Sequence, residues 1–143
     1  MVDDSKEFLM KEIEIIQSII NRMGSNSFLI KGWTITIVVG ILLLENLASM
    51  KVQIFIAYIP LILFWILDSY FLWQERLYRR LYNWDISHRL ETNDHLFSLD
   101  TDRFKKEISK FAIPFSKSFL LFYGAILISL SIYAICIYLG IIN

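Results

Sequence analysis

Apolar residues gather in three long runs, residues 28–48, 52–73 and 118–142, and the polar residues lie before and between them. A helix needs roughly 20 mostly apolar residues to cross a hydrocarbon core about 30 Å thick. The third run holds no charged residue, and the second holds one, Asp68. The first is the weakest: only 13 residues, 32–44, separate Lys31 from Glu45. That is about 20 Å of helix at roughly 1.5 Å per residue. The run spans only if Lys31 and Glu45 reach toward opposite interfaces.

Residues 4–23 follow another pattern. Leu9, Ile13, Ile16, Ile20 and Met23 recur at alternating spacings of four and three, and Phe8, Ile15 and Ile19 widen the stripe. This is a heptad seam and predicts an amphipathic helix. Asp4 with Glu7 suits a capping box. Gly24 predicts the end of that helix, and Ser25–Ser27 the cap of the next. The segment is too polar to span. It suits packing within the protein, lying on the membrane surface, or pairing with copies of itself.

The very short turn at residues 49–51 predicts a tight antiparallel hairpin of the first two spans. Pro60 removes one helical hydrogen bond and predicts a kink. Residues 61–83 contain neither Gly nor Pro, so the second helix is expected to run on beyond the membrane. Residues 85–100 read as irregular, with a turn at Asn93–Asp94. Asp100 or Thr101 then caps a short helix reaching Ala112, with Phe104, Ile108 and Phe111 on one face and Lys105, Lys106 and Lys110 elsewhere. That predicts an interfacial helix on anionic lipid, ended by Pro114.

The charges give the orientation. If every run crosses, Lys6, Lys11, Arg22, Lys31 and the nine basic residues from Arg76 to Lys117 share one side, and only Lys51 lies on the other. By the positive-inside rule the N-terminus and the central loop are cytoplasmic and the C-terminus is outside. The expected fold is an all-α membrane protein with three transmembrane helices, an N-terminal amphipathic helix and a cytosolic helical extension. Its parts are residues 1–24 (amphipathic cytosolic helix), 28–73 (transmembrane hairpin), 74–117 (cytosolic segment with the interfacial helix) and 118–142 (third span). The acidic start, Asp3, Asp4 and Glu7, does not suit a cleaved signal peptide, so the first span is expected to be an uncleaved anchor.

Composition agrees. Hydrophobic residues make up 56% of the chain, above the roughly 45–50% of soluble domains. A net charge of zero argues against nucleic acid as a partner. The single cysteine, Cys136, allows no intrachain disulfide and reads as a packing residue.

Asp68 is the first candidate for chemistry, because an ionisable group inside a span needs a partner or water. Lys31 starts the neighbouring span at a similar depth, so one reading is a Lys31–Asp68 pair that locks the hairpin. The other is that Asp68 faces a water-filled path or an oligomer axis. Gly32, Thr36 and Gly40 lie four apart and form a small-residue stripe suited to close helix packing. Trp33 and Trp73 suit the interface belt, as do Arg76, Arg79 and Arg80 among Tyr78, Tyr82 and Trp84. Glu75 and Arg79 make an i,i+4 pair in the favourable order. His88 and His95 stand alone, without zinc-like spacing. Phosphate loops, nucleophile elbows and catalytic triads are absent from the sequence, so no enzyme and no cofactor is expected.

Two stretches, 23–33 (MGSNSFLIKGW) and 64–84 (FWILDSYFLWQERLYRRLYNW), together resemble a set of small bacterial membrane proteins. Those look like membrane effectors of anti-phage systems, such as retrons and nucleotide-signalling defence operons. The resemblance covers roughly the first 110 residues and implies Asn26, Ser27, Lys31, Trp33, Asp68, Glu75, Arg76 and Tyr82 as family-type positions, without roles. It implies an inner-membrane protein that kills or arrests the cell by disturbing the membrane; the Gly32/Thr36/Gly40 stripe, Asp68, the N-terminal helix and the lack of catalytic groups add the expectation of a homo-oligomer that disrupts the membrane or forms a pore. The competing expectation is a non-catalytic anchor or accessory subunit for a cytosolic protein partner.

Overall fold

The structure, a computed structural model, describes residues 2–44, 49–88 and 98–141, the side chains of 2–5 and 50 excepted. The expectations for Glu45, for Asn93–Asp94, for His95, for the Asp4 cap and for the last residue of the third run lie outside the described residues. What is described is three helices, α1 (Val2–Leu42), α2 (Met50–His88) and α3 (Lys117–Tyr138), with two single 3-10 turns at Asp102–Phe104 and Lys110–Ala112. All three helices are long and apolar enough to cross a membrane. That is the make-up of a multi-pass membrane protein.

The expected break at Gly24 is absent: α1 is one helix of 41 residues. A glycine inside a helix costs about 1 kcal/mol, and here the seam outweighs it. The stripe that begins at Ile16 and Ile20 continues through Ser27, Ile30, Thr34 and Val38, all buried. Of these, Ile16, Ile20, Ser27 and Val38 meet residues of α2. The serines at 25–27 are therefore interior helix residues and cap nothing.

Helices α1 and α2 pack as a long antiparallel pair. Gln17 meets Tyr82, Gly24 lies beside Glu75, Ser27 meets Asp68 and Gln53 meets Leu44. At the hairpin end, the Gln53 side chain donates to the Leu44 carbonyl, and the Ser49 carbonyl accepts from Val52 and Gln53. Helix α2 passes through Pro60 and continues to His88, so residues 85–88 are helical where an irregular segment was expected. At about 1.5 Å per residue, its 39 residues measure about 58 Å, nearly twice a hydrocarbon core.

Two apolar cores form along this pair. Near the hairpin end, Val38, Ala57 and Leu61 pack with Phe119, Tyr123 and Leu130 of α3. At the charged end, Ile16 and Ile20 pack with Trp73, Leu77 and Leu81, closed over by Phe104 and Ile113. Helix α3 rests on α2 and makes no close backbone approach to α1. It ends after Tyr138 in a Schellman turn. Gly140 takes φ +69°, and the amides of Gly140 and Ile141 bond the carbonyls of Ile137 and Cys136 at 3.1 and 2.9 Å.

The single interfacial helix expected up to Ala112 is instead the two 3-10 turns, with extended backbone at Ser109 between them. The reason lies in α2. Its Trp73 indole donates to the Ile108 carbonyl at 3.1 Å, and Trp65 donates to the Pro114 carbonyl at 3.2 Å. Side chains of α2 thus take carbonyls of this segment, and Phe104, Ile108 and Ile113 turn into one core. Phe111, expected on the same face, is 85% exposed.

Candidate functional site

Where the three helices meet lies one buried polar cluster. Asp68 of α2 has no exposed surface. Its Oδ1 accepts from the Ser27 hydroxyl. Its Oδ2 accepts from Lys31 Nζ at 2.6 Å and from the Tyr123 hydroxyl at 3.0 Å. Lys31 Nζ also donates to Ser27 Oγ at 2.8 Å and stands 4.9 Å from the centre of the Phe119 ring. Tyr123 has a single O–H proton. The Phe64 carbonyl is a longer acceptor at 3.4 Å, so the proton goes to Asp68, where a charge strengthens the bond.

Each helix contributes to this cluster. Helix α1 gives Ser27 and Lys31, one turn apart; α2 gives Asp68; α3 gives Tyr123, held by a stacked Trp65 at 5.8 Å. Lys31 is the outermost member, its side chain 23% exposed. A carboxylate with three donors and an ammonium with one oxygen partner on its own helix, one on α2 and an aromatic ring on α3 is a satisfied ion pair. Its effect is to pin three spans in register. No part of Asp68 is left to face an oligomer axis. Ser27 and Tyr123 are the residues that sequence reasoning missed as ligands of Asp68. Nothing local marked either one: Tyr123 stands only six residues into α3, where a tyrosine suits the interface belt.

The remaining candidates are spread elsewhere. Gly32 and Gly40 face outward and have nothing within 4 Å of an added Cβ. Thr36 is exposed too and bonds its own helix, at the Gly32 carbonyl. The stripe therefore packs on no helix among the described residues. Trp33 is exposed, in keeping with an interface position, but Trp73 is a correction: it is 3% exposed. Its ring is sealed between α1 and the 3-10 segment, with Lys110 3.9 Å above it. It packs protein and faces no lipid. Arg76, Arg79 and Arg80 are exposed and line a cleft of about 510 Å³ with Asn83, Glu107 and Ser109. Arg79 bonds Glu75 at 2.7 Å, and Arg80 lies 3.8 Å from Glu107. His88 stacks on Trp84 at 5.6 Å. Among the described residues no group of three or more His, Cys, Asp or Glu could hold a metal.

A groove of about 300 Å³ runs between α1 and α3, walled by Ile35, Val38, Val39 and Leu42 on one side and by Ala125, Ser129 and Tyr133 on the other. Comparison with known proteins gives the chain no assignment: no family model matches it, and no curated protein or solved structure matches it.

Proposed function

We propose that this protein is a non-catalytic membrane anchor that presents a rigid helical platform to a cytosolic partner protein. The observation that carries the reading is the second apolar core. Helices α1 and α2 run on without a break and enclose Ile16, Ile20, Trp73, Leu77 and Leu81 at the charged end of the pair, under a lid made by Phe104 and Ile113; on this reading that end stands beyond the spans. A chain that needed only to sit in a bilayer has no use for a packed extramembrane end. The distribution of basic residues supports placing this end in the cytoplasm of a bacterial cell, with the N-terminus inside and the C-terminus outside. The Ser27–Lys31–Asp68–Tyr123 cluster supports it too, since it holds the three spans together within one chain.

A second reading, a homo-oligomeric effector of anti-phage defence that disrupts the inner membrane, draws on the outward Gly32/Thr36/Gly40 face and on the resemblance of residues 23–33 and 64–84. The mass of the full-length protein in mild detergent separates the two. A monomer or dimer supports the platform. A defined ring of several copies overturns it in favour of the effector, and Gly40→Leu then breaks the ring and abolishes depolarisation of expressing cells.

A further inference from the structure

We infer that the cleft between α2 and the 3-10 segment binds a phosphate ester, held at the charged end of the spans by Arg76 and Arg80. Arg76, Arg79, Arg80 and Asn83 are spaced i, i+3, i+4 and i+7, which places them on one face of α2. The opposite wall is Glu107, Ile108, Ser109 and Ala112. Arg76 makes no ion pair among the described residues. Arg80 has only Glu107, at 3.8 Å, and both side chains are more than half exposed, so that contact is weak and displaceable. Arg79 is committed to Glu75, a side chain 13% exposed beside Gly24. The guanidinium fork matches phosphate oxygens in pairs, and two forks one turn apart suit one phosphate group.

The second observation is an adjoining polar cleft of about 420 Å³ that shares Arg79 and Asn83. Its other walls are Gln17, Ile20, Asn21 and Tyr82, with Gln17 Nε2 donating to the Tyr82 hydroxyl at 3.2 Å. Amides and a phenol beside an arginine-lined cleft fit a ligand with a phosphate at one end and a neutral hydroxyl-bearing part at the other. Two sources share that chemistry: the headgroup of a phosphatidylglycerol-type lipid, and a soluble phosphate ester. Arg76 lies eight residues beyond Asp68, about 12 Å along the helix, within reach of the headgroup layer. The inference stands apart from the platform reading.

The test uses the full-length protein in nanodiscs. In discs of phosphatidylcholine alone, glycerol 3-phosphate is titrated and read by tryptophan fluorescence. In discs that also contain phosphatidylglycerol, native mass spectrometry counts the anionic lipids retained after extraction. Saturable glycerol 3-phosphate binding identifies the soluble source; retained phosphatidylglycerol without glycerol 3-phosphate binding identifies the lipid. In either arm, R76Q/R80Q weakens binding about twentyfold or more, near fivefold for each charge removed, and E107Q strengthens it. K105Q/K106Q removes as much charge outside the cleft and leaves binding within about twofold. Absence of binding in both arms, or an equal loss in the two double variants, overturns the proposal.

Discussion

Two ion pairs in this molecule are built from the same residue types and have opposite surroundings. Lys31 and Asp68 meet between helices, with the carboxylate fully buried and bonded also by Ser27 and Tyr123. Lys105 and Asp102 meet within one turn of the 3-10 segment, with side chains 43% and 66% exposed. Water screens the second pair, so its contact contributes little. In the first pair, removal of one partner strands a charge in a place where solvent cannot replace it. The lesson is that contact distance alone says little; what else could satisfy each charge decides.

The largest expected effect comes from Lys31→Met. It leaves Asp68 buried with two neutral donors and should destabilise the protein by about 3 kcal/mol, the lower end of the range for a broken buried pair, because Ser27 and Tyr123 remain. Denaturation in detergent, followed by circular dichroism, reads this. The double variant Lys31→Met, Asp68→Leu should recover most of the loss, since no charge is then left buried; the Ser27 and Tyr123 hydroxyls lose their acceptor, and Tyr123 keeps only the Phe64 carbonyl at 3.4 Å. A double variant as unstable as the single would mean that the pair has no such asymmetry.

Tyr123→Phe comes next. It removes one donor to Asp68 and keeps the stacking on Trp65. Hydrogen bonds between spans average roughly 0.6 kcal/mol, with a maximum near 1.7, and a charged acceptor favours the upper part, so the expected loss is about 1 kcal/mol. A loss as large as that of Lys31→Met would move the weight of the cluster from the ion pair to the tyrosine.

How far the sequence carried this picture follows from the same contrast. Asp68 and Lys31 were legible because an ionisable residue in an apolar run has few ways to be satisfied. Ser27 and Tyr123 were not legible as its ligands. Hydroxyl residues in helices commonly bond the carbonyl four residues back, as Thr34, Thr36, Ser69 and Ser129 do here, so a serine in the pattern does not announce a partner. The three apolar helices were readable from run length. The continuity of α1 was not, because Gly24 is a local signal and the seam onto α2 is a tertiary one. The segment 102–112 failed for a similar reason. Its apolar spacing suited a helix, but the indole of Trp73 claims the Ile108 carbonyl within it and that of Trp65 the Pro114 carbonyl just after it, and nothing local encodes that.

The smallest effect belongs to the exposed pair, and its pH dependence sharpens the contrast. The hydrogen bond from Lys105 holds the Asp102 carboxyl below its ordinary 3.8, and the same bond raises the Lys105 ammonium above its ordinary 10.5. A depressed carboxylate contributes fully above its unfolded value and loses that contribution as pH falls through the folded one. A raised ammonium contributes fully below its unfolded value and loses that contribution as pH rises through the folded one. Between 3.8 and 10.5 the pair's contribution is therefore constant. Lys105→Gln should lower the midpoint of thermal unfolding by a small amount that is the same at every pH across the neutral range, and the difference from the parent should shrink only outside those limits. A pH-dependent difference at neutral pH would mean that Asp102 and Lys105 answer to some group other than each other, and the exposed pair would no longer serve as the simple counterpart of the buried one.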